Sequence, residues 1–431
     1  MVAMRDVCLR KLGLNRAGEV RFGRLLANSK VTTERLIEGI CAPTRARAAG
    51  RHVLAIQDTT ELNYQAHADR VSGLGTVGNG SDVGLFMHPL LLVDAEHRTC
   101  LGLAGLHMWV RTKKASASYR KLPIEDKESY RWLSTVEAAK SCLSEAAQVT
   151  VVADRESDIY EMWARLPDTK TDLLLRACRD RAVETEQGSL YTWLSKRPVE
   201  GIYPVELPAL PGKRTAHTAW MEVRYGRIKI KRPQQCSDPK APQTIEVTAL
   251  EVREVASSVV GQEEPVHWRL LSTHVIHTLD DALRMVGWYC QRWNIEQTFR
   301  TLKKQGLNVE SSQVETGAAL MKLACLALDV AVRTMQLILA RDGLSECQAS
   351  DAFEEEDLPV LSHLQGKLEG RTVKQKNPQR PYSLAWAAWI IARLGGWKGY
   401  ASEHKPGPVT MHDGLVQFKQ FATGWHAARG S

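Results

Sequence analysis

The chain has 431 residues, of which 44% are hydrophobic and 25% are charged, and this balance excludes wholesale disorder. The length allows two to four domains, or one core that carries a large insertion. A formal net charge of +8 favours a polyanionic partner, but many basic proteins bind no anion, so the clustering of the charges is the better guide.

The predicted elements of the first half alternate between strands and helices. We predict strands at 52–57, 148–154 and 172–177, a hairpin of strands at 84–94 and 99–110, and helices over 126–146 and from Ser157 to Leu166. This order predicts a mixed α/β sheet with helical crossovers.

The second half changes character twice. Residues 183–256 contain many short β-like pieces separated by Pro and Gly, which indicates a β-rich insertion. From 279 to 342 the apolar period is helical, in two long segments that are split near Gly306 to Gly317. Residues 366–382 predict a basic linker or exposed arm, and the helix that follows closes at Gly395 and Gly396. We therefore expect three parts, namely 1–48, a core over 49–345 interrupted by 183–256, and a basic arm with helices over 346–431.

The cysteine pattern and the apolar stretches predict the compartment. Nine cysteines occur singly, without a C-x-x-C pair, which predicts a reduced cytoplasmic protein with neither disulfides nor a cysteine zinc site. The first residues contain no apolar core, so we expect no signal peptide. The stretch from Leu323 to Leu337 is interrupted by Asp329 and Arg333, so we expect it to be too short and too charged to span a membrane.

Two carboxylates end predicted strands: Asp58 in LAIQDTTELNY and Asp154 in VVADRESDIYEMW. Ligands gather at strand ends in α/β sheets, and adjacent strands bring two such residues together. Hard divalent cations prefer oxygen ligands, and a two-metal site needs a bridging carboxylate. The alternative interpretation is that each Asp caps a turn or the start of a helix.

A third acidic residue lies in WYCQRWNIEQTFRTLKKQG, where Tyr289, Arg292, Glu296 and Lys303 follow one another at offsets of 3, 7 and 14. On one continuous helix these residues fall within an arc of about 60°. Glu296 suits a metal ion, and the two cations suit phosphates. The alternative is a solvated helix face with ordinary Arg–Glu pairing.

These four residues resemble the YREK signature of the IS-four family of bacterial insertion-sequence DDE transposases. QDTTELNY and DRESDIY resemble the segments that hold the first and second catalytic Asp of that family. The three motifs stand in the family's order, with successive carboxylates 96 and 142 positions apart. The resemblance covers most of residues 50–425.

The resemblance implies an α/β fold, with an RNase H-like mixed sheet core, a β-rich insertion and C-terminal helices. It implies a DNA transposase in which Asp58, Asp154 and Glu296 are catalytic and hold two magnesium ions, with manganese as an alternative. It also implies DNA contacts by Tyr289, Arg292, Lys303 and Arg176, and a flipped base against Trp268, for which the other interpretation is a core aromatic. The implied partners are double-stranded DNA (transposon ends and target) and a second copy of the chain, without a membrane. The resemblance also implies a DNA hairpin intermediate and a protein that acts at the nucleoid.

The sequence departs from the family at two places. Cys178 stands where a second basic side chain is expected, with Arg179 and Arg181 as candidate substitutes. The region before the first strand is shorter than the family's helical end-binding domain, which keeps open a catalytically idle, N-terminally truncated DNA-binding or inhibitory derivative. An RNase H-like nuclease without strand transfer is the third hypothesis.

The remaining candidates are basic clusters and two histidines. The clusters are predicted either to bind phosphates or to form solvated faces, and the histidines are predicted to be satisfied core residues rather than ligands. The first cluster contains Arg224, Arg227, Lys229, Lys231 and Arg232, the second Lys367, Arg371, Lys374, Lys376 and Arg380, and the histidines are His88 and His107.

Overall fold

A computed structural model of the chain describes residues 1, 7–78, 80–111, 119, 122–186, 188–236, 238–304, 306–343, 345–400 and 403–429. The chain forms two compact units. The first contains Met1–Lys114, Ala138–Ala147 and Trp293–Ser431, and the second contains Ala115–Glu137 and Gln148–Arg292. The three predicted domains are a different partition and stay a prediction.

The first unit combines five strands with helices from both ends of the chain. Its strands are β1 (His52–Gln57), β2 (Thr60–Asn63), β3 (Gly75–Val77), β4 (Asp82–Asp94) and β5 (Cys100–Trp109). Its helices are α1 (Leu9–Gly13), α2 (Arg16–Ala27), α3 (Thr33–Ala48), α8 (Trp293–Lys303), α9 (Gly317–Ala340), α10 (Leu358–Leu368), α11 (Leu384–Leu394) and α12 (Pro408–Arg429).

Strand β4 organises this unit because it pairs antiparallel with the other four strands. Its sequence GLFMHPLLLVD is almost entirely buried, as expected of a strand covered on both faces. The predicted hairpin is confirmed as β4 and β5, with irregularities in register at Leu90/Leu91 and Leu92/Val93. The short strands β2 and β3 were not predicted.

Helix α9 is the apolar core helix of this unit. Its N-terminus is capped by the Thr316 side chain, which accepts a hydrogen bond from the Ala319 N–H. This stretch was predicted to be too short and too charged to span a membrane, and that prediction is wrong. Helix α9 has 24 residues, and by length and composition alone it could cross a membrane. However, 78% of its most apolar window is buried within the protein, as in a core helix.

The second unit contains six strands, of which one pair is parallel. The strands are β6 (Gln148–Ala153), β7 (Thr171–Arg176), β8 (Gly201–Leu207), β9 (His217–Lys231), β10 (Thr244–Glu254) and β11 (His267–Ser272). Strands β6 and β7 are parallel, and β7, β11, β10, β9 and β8 follow as antiparallel neighbours. Its helices are α5 (Tyr160–Arg165), α6 (Leu190–Ser195) and α7 (Leu279–Cys290), and α4 (Arg131–Ala139) begins in it.

Two predictions for this unit need correction. The helix expected over 126–146 shortens to α4, because Lys127 is extended between two single turns of 3₁₀ helix. The pieces expected in 183–256 are instead long strands, with 15 residues in β9 and 11 in β10. Gly226 lies inside β9 and does not end it. A glycine is favoured at this position because a Cβ would lie only 2.8 Å from the Trp193 ring.

Candidate active site

Asp58 lies at an interruption of the first unit's sheet. Strands β1 and β2 follow one another along β4 in one register, in which Gln57 opposes Leu90 and Thr60 opposes Met87. Asp58 and Thr59 therefore lie opposite Pro89 and His88, and the interruption coincides with a proline that has no backbone N–H to donate. The Asp58 carboxylate accepts a hydrogen bond from the Thr59 N–H at 2.7 Å.

His88 holds both neighbours of Asp58. Its Nε2 lies 3.0 Å from the Gln57 Oε1, and its Nδ1 lies 2.9 Å from the Thr59 Oγ1. His88 and Gln57 are both 0% exposed, so the prediction of a satisfied core histidine is confirmed. Since Gln57 and Thr59 reach the same ring, side-chain alternation directs Asp58 to the opposite side. No sequence motif pointed to this contact, because it joins residues 29 and 31 positions apart.

The matching prediction for His107 is wrong. His107 opposes His88 across β4 and β5, but it is exposed and stacks on Trp109, with ring centroids 5.1 Å apart. Side chains at the outer end of β5 are only half-covered, so an apolar-looking run there does not become core.

Asp154 follows β6 in the second unit, and Arg176 ends the parallel neighbour β7. The Asp154 side chain caps a single 3₁₀ turn, where its Oδ1 accepts a hydrogen bond from the Glu156 N–H at 2.9 Å. Its Oδ2 accepts no hydrogen bond from any described residue. Asp154 is therefore a turn cap with one carboxylate oxygen left for a ligand, which combines the two interpretations of the sequence.

Tyr289, near the end of α7, gathers charged groups of the second unit. It is 4% exposed, and burial raises the pKa of its phenol, with the Asp154 carboxylate acting in the same direction. The guanidinium groups of Arg292 and Arg176 oppose this rise, and Arg292 also shares a hydrogen bond with the phenol. The structure thus places Asp154, Arg176 and Arg292 within electrostatic reach of the Tyr289 phenol.

Trp268 joins this group through Tyr289. The two rings meet edge to face, with centroids 5.4 Å apart and planes at 69°. Trp268 is half-buried on β11, so it is not a fully buried core aromatic. Its neighbours His267 and Arg269 both bind Glu251, at 2.8 and 3.0 Å, a buried carboxylate on β10 that sequence analysis missed.

The single helix face predicted for 289–303 is wrong. Helix α7 ends at Cys290 and α8 begins at Trp293, with a turn at Gln291 and Arg292 between them. The local apolar period continues through this turn, which is why the sequence suggests one helix. Tyr289 and Arg292 belong to the second unit, whereas Glu296 and Lys303 belong to the first.

Glu296 and Lys303 lie at opposite ends of α8. Glu296 is half-buried in the first turn of the helix, the position at which its dipole favours an anion. The Lys303 Nζ lies 3.7 Å from Glu310, whose carboxylate also accepts a hydrogen bond from the Asn63 N–H at 2.9 Å. A phosphate at Lys303 therefore has to compete with Glu310.

A divalent metal ion suits the chemistry of the predicted ligands. Asp58, Asp154 and Glu296 offer oxygen donors only, which hard cations such as magnesium prefer. Among the described residues, no group of three or more His, Cys, Asp or Glu side chains is arranged as a metal site. The donor type fits, and the assignment of the three carboxylates to metal ions stays a prediction.

Arg181 does not substitute for the basic residue expected at Cys178. Its side chain is 7% exposed and its guanidinium is bound to Asp158, whose side chain is fully buried. Arg179 is exposed and stays a candidate.

The basic cluster on β9 is mostly neutralised. Arg224 pairs with Glu222 at 2.5 Å, Arg227 with Glu246 at 2.7 Å, and Lys229 with Glu184 at 3.4 Å. In the second cluster, Arg371, Lys374, Lys376 and Arg380 are exposed. Ion pairs thus distinguish the two clusters, which look alike in the sequence; two of the three carboxylate partners, Glu184 and Glu246, are distant in the chain.

Residues 133–330 match the family model described as the transposase DDE domain. The match supports a DDE transposase. It covers somewhat less than half of the chain, including Asp154 and Glu296 but not Asp58. The α/β fold, with strands in both parallel and antiparallel pairs, is consistent with the RNase H-like fold of DDE transposases. A DDE transposase acts on DNA, and the family generally uses divalent metal ions.

Proposed function

We propose that the chain is a transposase of the IS-four (YREK) family, which excises and integrates an insertion sequence by two-metal phosphoryl transfer through a DNA hairpin intermediate. The observation that carries the proposal is the group around Tyr289 in the second unit, where a carboxylate, two guanidiniums, a phenol and an indole converge. Among these residue types, guanidiniums and a phenol suit a phosphate, a carboxylate suits a metal ion, and an indole suits a base.

Arg176, Arg292 and Lys303 are assigned to the phosphates. A guanidinium presents two parallel N–H groups to a phosphate, so Arg292 and Arg176 fix its orientation as well as its charge. A phenol is protonated at neutral pH and burial raises the pKa of Tyr289 further, so its O–H is available to donate a hydrogen bond to a phosphate oxygen.

Asp58, Asp154 and Glu296 are assigned as the ligands of two magnesium ions, with manganese as the alternative. Bound divalent ions supply activation of the attacking oxygen and stabilisation of the leaving oxygen. Asp154 supports this role by its uncommitted Oδ2, and Asp58 by the His88 contacts on both of its neighbours.

Trp268 is assigned to a base that leaves the stack. The ring is partly exposed, and its edge contact with Tyr289 holds it beside the proposed phosphate site. Stacking on an aromatic face contributes about 1–3 kcal/mol per base, which offsets part of the cost of unstacking. The proposed assembly is a homodimer on paired transposon ends, acting on DNA in the cytoplasm at the nucleoid.

The test is a cleavage assay on DNA that carries the ends flanking this gene, with purified full-length protein and magnesium. Glu296→Ala is the matched control. We expect nicks and hairpins at the ends with the unchanged protein, and none with the variant. Equal cutting by Glu296→Ala would refute the assigned role of that carboxylate.

Two further outcomes would replace the proposal. Specific binding to the ends without any cutting would establish the idle, inhibitory derivative. Hydrolysis without hairpins or strand-transfer products would establish the simple nuclease.

A further inference from the structure

A cleft of about 600 Å³ opens in the second unit. Its wall is formed by the segment around Lys127, the turn at Asp158–Glu161, the loop at Arg179–Ala182 and the end of β9 at Lys231. All of these residues belong to the second unit.

Three cations in this wall have no counter-ion among the residues that the structure describes. The side chains of Lys127, Arg179 and Lys231 make no hydrogen bond or ion pair with any described residue. The other two cations of the wall are occupied, since Arg181 is bound to Asp158 and the Arg232 Nη1 donates to the Ala241 carbonyl at 3.0 Å. Earlier in β9, by contrast, Arg224, Arg227 and Lys229 each form an ion pair with a carboxylate.

The carboxylates in the wall are already engaged. Asp158 binds Arg181, and the Asp180 Oδ1 accepts a hydrogen bond from the Tyr191 N–H at 2.8 Å. Glu161 is 5% exposed and shares a hydrogen bond with the Cys236 thiol. Hydrogen bonds from neutral donors leave Asp180 and Glu161 charged, but the five cations of the described lining outnumber its three carboxylates, so its net charge is positive.

The cleft lies at the edge of the sheet that holds Asp154. Strands β6 and β7 are parallel with Ala153 opposite Leu175, so the segments that follow them leave from the same edge. Asp154 and Arg176 stand at that edge, and two of the wall's segments, Asp158–Glu161 and Arg179–Ala182, follow just beyond them. The Cys178 N–H donates to the Asp158 Oδ2 at 2.9 Å, which ties the two segments together.

We propose that this cleft binds the phosphodiester backbone of DNA through Lys127, Arg179 and Lys231, next to the phosphate held near Asp154. The inference rests on the proposed function, which supplies a DNA strand at that edge. The buried Asp158–Arg181 pair holds the wall in place, while the three unpaired cations supply the charge that neutralises phosphates.

The test uses the dependence of duplex DNA binding on salt, measured in the full chain carrying Glu296→Ala so that cleavage does not interfere. In this background, Lys127→Ala/Arg179→Ala/Lys231→Ala is compared with Lys196→Ala/Lys213→Ala/Arg253→Ala. Both triple variants remove three cations from the second unit, and the second set is exposed but lies outside the cleft.

Each phosphate contact on a duplex contributes about 0.9 to the slope of log affinity against log salt, so the cleft variant should lose up to about 2.7 from that slope. Arg179→Ala alone should lose about 0.9, and the control set should leave the slope of the parent unchanged. Circular dichroism and urea midpoints establish that each variant is folded.

The outcomes separate the two proposals. Equal slopes for the parent and the cleft variant would refute the cleft and leave the transposase proposal standing. An equal loss in the control set would show general charge rather than a site, and would also refute it. A parent protein that binds no DNA at low salt would overturn both proposals.

Discussion

Replacing His88 by Ala tests whether the sheet holds Asp58 for catalysis. The ring contacts Gln57 and Thr59 on either side of Asp58, at 3.0 and 2.9 Å, in a place where His88 is 0% exposed. A typical hydrogen bond contributes about 0.5–1.5 kcal/mol, so the loss of two such bonds at this buried position predicts about 1–3 kcal/mol of lost stability.

A positioning role predicts more than a loss of stability. We expect His88→Ala to lower the cleavage rate at least tenfold and to raise the magnesium concentration needed for half-maximal cleavage, because Asp58 is no longer held. Thr59→Val removes only the hydroxyl that reaches His88, so it should shift the magnesium dependence in the same direction. The two changes should not add, since they remove the same contact.

The matched control is His107→Ala, since His107 opposes His88 in the neighbouring strand but is exposed. It should leave both the rate and the magnesium dependence unchanged. A His88→Ala protein that is less stable but cleaves with the original magnesium dependence would refute the positioning role.

Three further predictions concern stability. Arg181→Met should lower the free energy of unfolding by about 3–5 kcal/mol in urea denaturation, because it leaves the buried Asp158 carboxylate without its cation; a loss below 1 kcal/mol would contradict this. Asp94→Asn should cost stability at neutral pH, and this cost should shrink as the pH falls below the ordinary pKa of an Asp side chain. Burial raises the pKa of Asp94, but the His97 N–H, the Arg51 guanidinium and the Glu96 N–H outweigh it, so the folded pKa lies below the unfolded one and the contribution is lost as pH falls through it. A pH-independent difference between wild type and variant would refute that sign. Lys322→Met should speed hydrogen exchange in α2, because the buried Nζ donates to the Leu26 and Asn28 carbonyls at 2.8 and 3.0 Å; unchanged exchange there would show that these bonds do not anchor the helix.

The strands that carry the aspartates could be predicted because their evidence is local. An apolar, β-branched run that ends in Asp is visible within six residues, and β1 has the predicted bounds while β6 differs by one residue. The turn between α7 and α8 was missed for the opposite reason. Apolar periodicity continues across it, and one turn at Gln291 and Arg292 changes which side chains share a face.

Charge was the least predictable property, because a cation's partner is set by the fold rather than by its neighbours in sequence. Arg224, Arg227 and Lys229 form the densest basic run, yet each meets a carboxylate. Lys127 and Arg179 stand far apart in the sequence, yet they line one cleft with Lys231 and have no carboxylate partner among the described residues. A phosphate gains most from a cation that has no competing anion, so the unpaired cations are the better candidates for DNA contact. Removing the β9 run should therefore change the salt slope less than removing the three cleft cations, although both remove three positive charges.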